Sequence, residues 1–342
     1  SVLGNRTPIS RNRTGSLGSL SSIKRELDIM SQKTKHPDLD IGCFIPQGRP
    51  FVKMHGLRND FVIVDARREP YVPGPAEVQH ICDRRAGVGA DELVIIEPPP
   101  RNTADVYAFV RIINPDGSEA EACGNASRCV CWLLMRENDC RELAIQTLGG
   151  LLRCRMAGKN QVTVEMGRLK TAWMEIPLDR DRDTLHLGIE AGPLSDPVGM
   201  NIGNPHAVFF VENLDEVDLS QWGPTLQTHP LFPKEANIGV AQILNEESMR
   251  LSVWERPGAL TTSCGTGACA AVGAALRRGL ISKRMIRVFM PAGSVLIEIR
   301  PDDTAVMTGP TACCYAGWLP KSNRNEQPIE LRTIGFQESY TS

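Results

Sequence analysis

"EACGNASRCVCWLLM", residues 121–135, sets a cysteine directly before a glycine, with small residues on both sides and an apolar helical pattern behind. A helix therefore starts beside Cys123. A second stretch, "SCGTGACAAVGAALRRGLI" at residues 263–281, does the same with Cys264. What precedes the two cysteines also matches. Asn59 lies 64 residues before Cys123, and Asn204 lies 60 before Cys264. Asn114 lies 9 before Cys123, and Glu255 lies 9 before Cys264. Each half thus carries an Asn-bearing bend, a polar residue and a Cys-Gly helix start. Two similar α+β halves facing one another would bring both helix starts to one cleft, a common place for a ligand.

The rest of the chain fits two such halves. "FVKMHGLRNDFVIVD" predicts two short strands around a bend, "AEVQHICDRR" a helix ending near Gly87, and "DELVIIEPPP" and "YAFVRIIN" two more strands. Residues 142–167 read as a β-meander with turns at Gly149-Gly150 and near Gly158-Lys159-Asn160. In the second half "VGMNIGNPHAVFFVENL" gives a bend and a strand, "EVDLSQWGPTLQTHP" a helix, and "ANIGVAQIL" and "MRLSVWER" strands. "IRVFMP", "SVLIEIR" and "AVMTGP" close with strands.

Residues 1–49 stand apart. Their first 25 residues hold Ser, Arg, Gly and Asn and no acid, too little apolar surface to order themselves. They are expected to lie outside the fold as a disordered extension, a tag or an Arg/Ser-rich targeting segment. Residues 321–342 read as a polar tail.

Composition limits the function. With 38 basic and 40 acidic residues the net charge is −2, which argues against a nucleic-acid partner or a polybasic membrane surface. No run of 18 apolar residues is present, so no membrane-spanning helix is expected. The 11 cysteines are an odd number without a secretory signal before them. They read as free thiols in a reducing compartment, the cytoplasm, with an organelle in reserve if residues 1–49 are a transit peptide. Their spacings lack the C-x-x-C of structural zinc, so no metal is expected.

A helix start offers unpaired N–H groups and the positive end of the dipole. It can bind a carboxylate and is expected to lower a cysteine's pKa. One thiolate and one thiol on opposite faces of a carbon could remove and return a proton, inverting the centre. Backbone donors on the carboxylate would stabilise the carbanion that forms. Glu255 and His206 could accept the thiol protons. Cys43, Cys82, Cys129, Cys131, Cys140, Cys154, Cys269, Cys313 and Cys314 read as inert. A Cys–His hydrolase using His206 and Asn204 is the other chemistry available, but it leaves the second Cys-Gly helix and the repeat without a purpose.

The motifs "FVKMHGLRNDFVIVD", "NPDGSEAEACGNASRC", "GNPHAVFFVENLDEVDLSQWGP", "HPLFPKEANIGVAQI" and "VWERPGALTTSCGTGACAA" together resemble diaminopimelate epimerase, from about Phe51 to Leu319. The resemblance implies two pseudo-symmetric α+β domains, each a curved, mostly antiparallel sheet wrapped around a central helix, with the site in the cleft between them. The expected domains are 50–166, with 310–320 returning to it, and 167–309. It implies conversion of LL-2,6-diaminopimelate to the meso form by two cysteines, without pyridoxal phosphate or metal, for lysine and peptidoglycan precursors. It further implies a homodimer. The family's catalytic cysteines fall on Cys123 and Cys264, with Glu255 close to the reacting centre and His206 on the histidine of the family's Gly-Asn-Pro-His motif. Its donors to the reacting carboxylate fall on Gly124, Asn125, Gly265 and Thr266. Its substrate-holding side chains fall on Asn59, Asn114, Asn204, Asn237 and Arg256, the last suited to a bidentate grip on the distal carboxylate.

Three places depart from the family pattern. Arg58 replaces a glycine before Asn59 and is expected to be strained if that site needs positive φ. Glu92 brings a carboxylate to a position near the substrate, where Gly or Gln is common. Ala126 and Ser127 stand where Gly-Ala or Gly-Thr is usual, and Ala126 is expected to crowd the carboxylate loop. These departures leave room for a related amino-acid racemase or isomerase, or for a non-catalytic amino-acid-binding relative.

Overall fold

The computed structural model describes residues 48–320, apart from 102, 104, 122 and 257. Most of the N-terminal stretch set aside above, and all of 321–342, lie outside the described residues. The first strand begins at Arg49, the last residue of that stretch.

The first half runs β1 (Arg49–Gly56), β2 (Asn59–Asp65), α1 (Pro75–Cys82), β3 (Glu92–Glu97), β4 (Val106–Ile113), β5 (Glu119–Ala120), α2 (Gly124–Glu137), β6 (Glu142–Thr147), β7 (Gly150–Gly158) and β8 (Gln161–Arg168). A small hairpin follows, β9 (Glu190–Ala191) with β10 (Leu194–Ser195). The second half runs β11 (Val198–Asn201), β12 (Pro205–Phe210), α3 (Leu219–Gln227), β13 (Asn237–Asn245), β14 (Ser248–Glu255), β15 (Ala259–Thr261), α4 (Gly265–Arg277), β16 (Met285–Met290), β17 (Gly293–Ile299) and β18 (Thr304–Pro310). β19 (Ala312–Leu319) ends the described chain.

The repeat is one of pairing, not only of order. β2 runs parallel to β3 and β4 to β6; β12 runs parallel to β13 and β14 to β16. The remaining ladders are antiparallel, and β8 pairs with its counterpart β18 to join the halves. β19 pairs with β1.

Each half wraps a core around its Cys-Gly helix. Around α2 the core contains Phe61, Ile63, Val94, Ile112, Leu134 and Ile145. Around α4 it contains Met200, Leu251, Val272, Ile286, Ile297 and Met307. α4 is built on Ala268, Ala270, Ala271, Ala274 and Ala275, all fully buried, so the sheet can close tightly on it. The outer helices, α1 and α3, cover two further cores on the other sheet faces.

Several expectations are corrected. α1 stops at Cys82, not near Gly87, because the Asp83 carboxylate accepts the N–H groups of Arg85 and Ala86 and turns the chain out. The helix expected from Glu216 splits into a 3-10 turn at Leu214–Glu216 and α3, which starts where Asp218 caps Ser220 N–H. "VGMNIGNPHAVFFVENL" holds two paired strands, not one. Cys131 and Cys154 are not free: they face each other from α2 and β7 inside the first core and are joined as a disulfide, with Cα atoms 6.3 Å apart. Ala126 does not crowd the site; it is fully buried in the first core. Among the described residues no helix is long and apolar enough to cross a membrane.

Candidate active site

Asn59 owes its place to a strained turn. β1 and β2 close on the pair Gly56–Asn59, leaving Leu57 and Arg58 as a two-residue loop. Both have positive φ, 53° and 64°, the geometry of a type I′ hairpin, which favours Asn and Gly. The strain expected at Arg58 is therefore present, and Leu57 shares it. Asn59 begins β2, and Glu92 begins the parallel strand β3 opposite Phe61. In the second half Asn204 precedes β12, and Asn237 begins β13 opposite His206. Glu92 thus occupies the place that Asn237 holds in the other half. Glu255 ends β14, where Asn114 follows β4. Each half carries one carboxylate, but in different positions.

The two cysteines have nearly the same cap conformation, φ −137° and ψ 114° at Cys123, φ −131° and ψ 109° at Cys264. Both helix heads rest on one side chain. A Cβ added to Gly124 would meet Met307 Cε at 2.6 Å, and one added to Gly265 would meet it at 3.0 Å. Glycine at these two positions lets the N–H ends converge. The sulfurs differ in their contacts. Cys264 Sγ accepts Gly267 N–H at 3.2 Å and lies 3.4 Å from Thr266 Oγ1. Cys123 Sγ makes no such cap and lies 3.5 Å from Asn59 Oδ1.

The expected lowering of the thiol pKa values fails. Burial pushes both well above the ordinary value, and a carboxylate adds to the push, Glu92 at Cys123 and Glu255 at Cys264. A helix end contributes on the order of 1 kcal/mol, whereas full burial can shift a group by several pKa units. The carboxylates move the same way. Burial raises Glu92 to about 7 against the pull of the Cys123 thiol, with help from the charges of Asp91 and Glu255. Burial raises Glu255 against the pull of Cys264 and Thr261. The site holds two thiol–carboxylate pairs, each reluctant to carry negative charge.

His206 is buried and held neutral. Burial, then the Arg256 charge, lowers its pKa to about 3. Its Nε2 donates to Asn204 Oδ1 at 2.9 Å, with Asn237 Nδ2 lying 3.4 Å away; its hydrogen bond goes to the Asn204 amide and not to either sulfur. Asn237 Oδ1 accepts Arg256 N–H, and Arg256 Nη1 donates to Lys234 O at 2.6 Å. Asn204 Nδ2 reaches Thr266 Oγ1 at 3.5 Å. Asn114 is not drawn in: its side chain bonds Ser118 within its own turn. Glu92 Oε2, His206 Nδ1 and Arg256 Nε are buried with no hydrogen-bond partner among the described residues. Such atoms are costly unless something polar meets them.

Four residues here escaped the sequence. Asp91 accepts Asn59 Nδ2–H at 3.0 Å. It belongs to a charged cluster in which burial of Asp60 is outweighed by Arg84 and Lys53, holding that carboxyl well below its ordinary range. Ser263 bridges Asn125 and Leu57 O. Met307 separates the helix heads, and Arg128 lies buried behind Asn125. The only hint was the place of Asp91 beside Glu92, of Ser263 beside Cys264 and of Arg128 in the helix that follows Cys123; Met307 gave none.

The family model for diaminopimelate epimerase matches residues 51–172 and 198–313. The chain belongs to the diaminopimelate epimerase family. A diaminopimelate epimerase of Rhodospirillum centenum is 46% identical over 286 residues, covering 82% of this chain and 97% of the relative. One of Acidiphilium cryptum is 45% identical over 271 residues, covering 79% and 96%. Among solved structures, a probable proline racemase from Agrobacterium radiobacter K84 superposes with TM-score 0.58 at 15% identity, over 81% of this chain and 94% of that one. A hydroxyproline epimerase from Agrobacterium vitis gives TM-score 0.58 at 15% identity over 80% and 93%. That likeness is one of fold. It carries the diaminopimelate epimerase architecture: two pseudo-symmetric α+β halves, each with a curved sheet around a central helix.

Proposed function

We propose that this chain epimerises LL-2,6-diaminopimelate to meso-diaminopimelate by a two-cysteine proton transfer. The observation that carries this reading is the matched pair of thiols, each at the N-terminus of a helix and each beside a buried carboxylate. The reacting carboxylate sits on the N–H groups of Gly124, Asn125, Gly265 and Thr266, where the two positive helix ends meet. Arg256, with an unpartnered Nε, takes the distal carboxylate. The amides of Asn59, Asn204 and Asn237 orient the rest, while Asn114 stays bonded to Ser118 in its own turn.

The carboxylate beside each thiol offers the proton route. The thiol of one cysteine passes its proton to the neighbouring carboxylate, Cys123 to Glu92 or Cys264 to Glu255. The resulting thiolate takes the α-hydrogen. The opposite cysteine, still a thiol, gives its proton to the other face of the carbanion and becomes the thiolate for the return direction. A carboxylate poised near 7 suits this exchange at neutral pH. His206, neutral and bonded to Asn204, holds that amide against Thr266. The product serves lysine and peptidoglycan precursor synthesis. The same reading takes the chain to be a cytoplasmic homodimer, with an organelle in reserve.

Glu92 favours a second reading, a related amino acid with a different polar end. Both are tested with reduced protein in D₂O, without added cofactor, by proton NMR and chiral chromatography. Loss of the α-proton signal with appearance of the meso isomer, abolished in Cys123→Ala and Cys264→Ala, supports the first reading. Exchange on another amino acid but not on diaminopimelate supports the second. No exchange on any amino acid by folded, reduced protein overturns both.

A further inference from the structure

Arg128 is the largest fully buried side chain among the described residues. Its partners are all neutral. Nε donates to Pro310 O at 3.5 Å, Nη1 to Gly124 O at 3.3 Å and to Met307 Sδ at 3.3 Å, and Nη2 to Asn125 Oδ1 at 2.5 Å. The titratable groups facing it are thiols: Cys123 and Cys129 from its own helix and Cys269 from α4. Burial pushes Cys129 and Cys269 up to about 12, so both stay neutral. From the sheet, Gly309 packs against the guanidinium and Gly56 approaches Nη2, and neither brings charge. A buried cation without an acid is costly. It fits a site that becomes negative when it works.

The hydrogen bonds around Arg128 run to Cys123. Because Arg128 Nη2 donates to Asn125 Oδ1, the amide of Asn125 must present Nδ2 outward. That Nδ2 donates to Asn59 Oδ1 at 3.0 Å and to Ser263 Oγ at 3.3 Å. Asn59 is fixed from its other end, where Nδ2 donates to Asp91 Oδ2. Its Oδ1 is therefore the acceptor that faces Cys123 Sγ. Arg128, behind Asn125 and against Met307, thus sets the orientation of two amides in series.

We propose that Arg128 is the fixed countercharge for the Cys123 thiolate and, through Asn125, the residue that holds Asn59 in place. The proposal rests on reading Cys123 as a proton-transferring thiol. The guanidinium rests on the carbonyl of Gly124, the residue after Cys123, and a nearby opposite charge favours an ionised group by about one to three pKa units. A purely structural Arg128 would leave the thiol's titration where it is.

The test follows the thiol itself. Cys123 is alkylated with iodoacetamide from pH 6 to 10, its modification is quantified by peptide mass mapping, and the displacement of its rate along the pH axis gives the shift of the midpoint even where the midpoint lies above pH 10. Arg128→Met is expected to move the Cys123 midpoint up by about one unit and to slow alkylation about tenfold at fixed pH. Arg128→Lys restores the charge and is expected to recover most of the midpoint. Should both variants fail to fold, Asn125→Asp places a carboxylate on the guanidinium at nearly unchanged volume. It is expected to raise the midpoint in the same direction. An unmoved Cys123 midpoint in folded Arg128→Met, or in folded Asn125→Asp, overturns the proposal. The readout needs no turnover, so retained α-proton exchange in Cys123→Ala would sink the catalytic reading separately.

Discussion

Asn125 donates its Nδ2 hydrogen to Ser263 Oγ at 3.3 Å, tying the second residue of one Cys-Gly helix to the residue just before Cys264. Ser263 in turn donates to Leu57 O at 3.2 Å, inside the strained hairpin that presents Asn59. One buried hydroxyl therefore links both helix heads and the hairpin. Ser263→Ala removes the hydroxyl and leaves Leu57 O and an Asn125 hydrogen unmet. The expected cost is about 1–3 kcal/mol in a urea melt, with a fall in kcat up to about tenfold, since Asn125 keeps its bond to Asn59. Unchanged stability would mean that water replaces the hydroxyl at this seam.

Gly124 can be tested through its neighbour. A methyl at this position would sit 2.6 Å from Met307 Cε and 3.0 Å from Met166 Cε. Gly124→Ala is expected to cost about 1–3 kcal/mol as overpacking and to reduce α-proton exchange by pushing α2 off the seam. Trimming the obstacle in Gly124→Ala/Met307→Ala should return part of the exchange rate. If the single variant keeps full exchange, the spacing of the two helix heads does not limit the reaction.

The architecture was legible because it is written twice. Matched spacing to Cys123 and Cys264, and turn residues between short apolar runs, suffice to place two helices and most strands. Less visible was what depends on three-dimensional pairing. Nothing in "GADEL" shows that Asp91 reaches Asn59 across a parallel ladder. The helix-start argument predicted lowered thiol pKa values because it saw the dipole and not the burial. Local spacing also could not show that Cys131 and Cys154 meet, since α2 and β7 approach only when the sheet closes.

The Leu57-Arg58 turn offers a gain in stability. Arg58 is exposed, holds φ 64°, and makes its one turn contact through backbone N–H to His55 Nδ1 at 3.4 Å, which any residue could make. An L-residue in this region bears about 1 kcal/mol of strain. Arg58→Gly is therefore expected to raise the urea midpoint by the equivalent of about 1 kcal/mol, offset by some tenths from added chain entropy in the unfolded state. A lower midpoint would mean that the guanidinium contributes more than the turn strain costs.

Glu92 links stability to catalysis with opposite signs. Its pKa rises from an ordinary 4.5 to about 7 on folding, chiefly through burial. Between these values the folded protein binds more protons than the unfolded chain, so this group lowers stability as pH rises. His206, lowered from 6.5 to about 3, acts oppositely: its site binds fewer protons when folded, and stability rises over that window. In a comparison of Glu92→Gln with the parent the His206 contribution cancels. The variant is then expected to match the parent near pH 4 and to exceed it by up to about 3 kcal/mol at pH 8. If Glu92 accepts the Cys123 proton, the same substitution should lower kcat about a hundredfold with little change in KM. A raised KM at normal kcat would instead make Glu92 a substrate contact, and a stability gap independent of pH would show that its carboxyl is not held protonated by the fold.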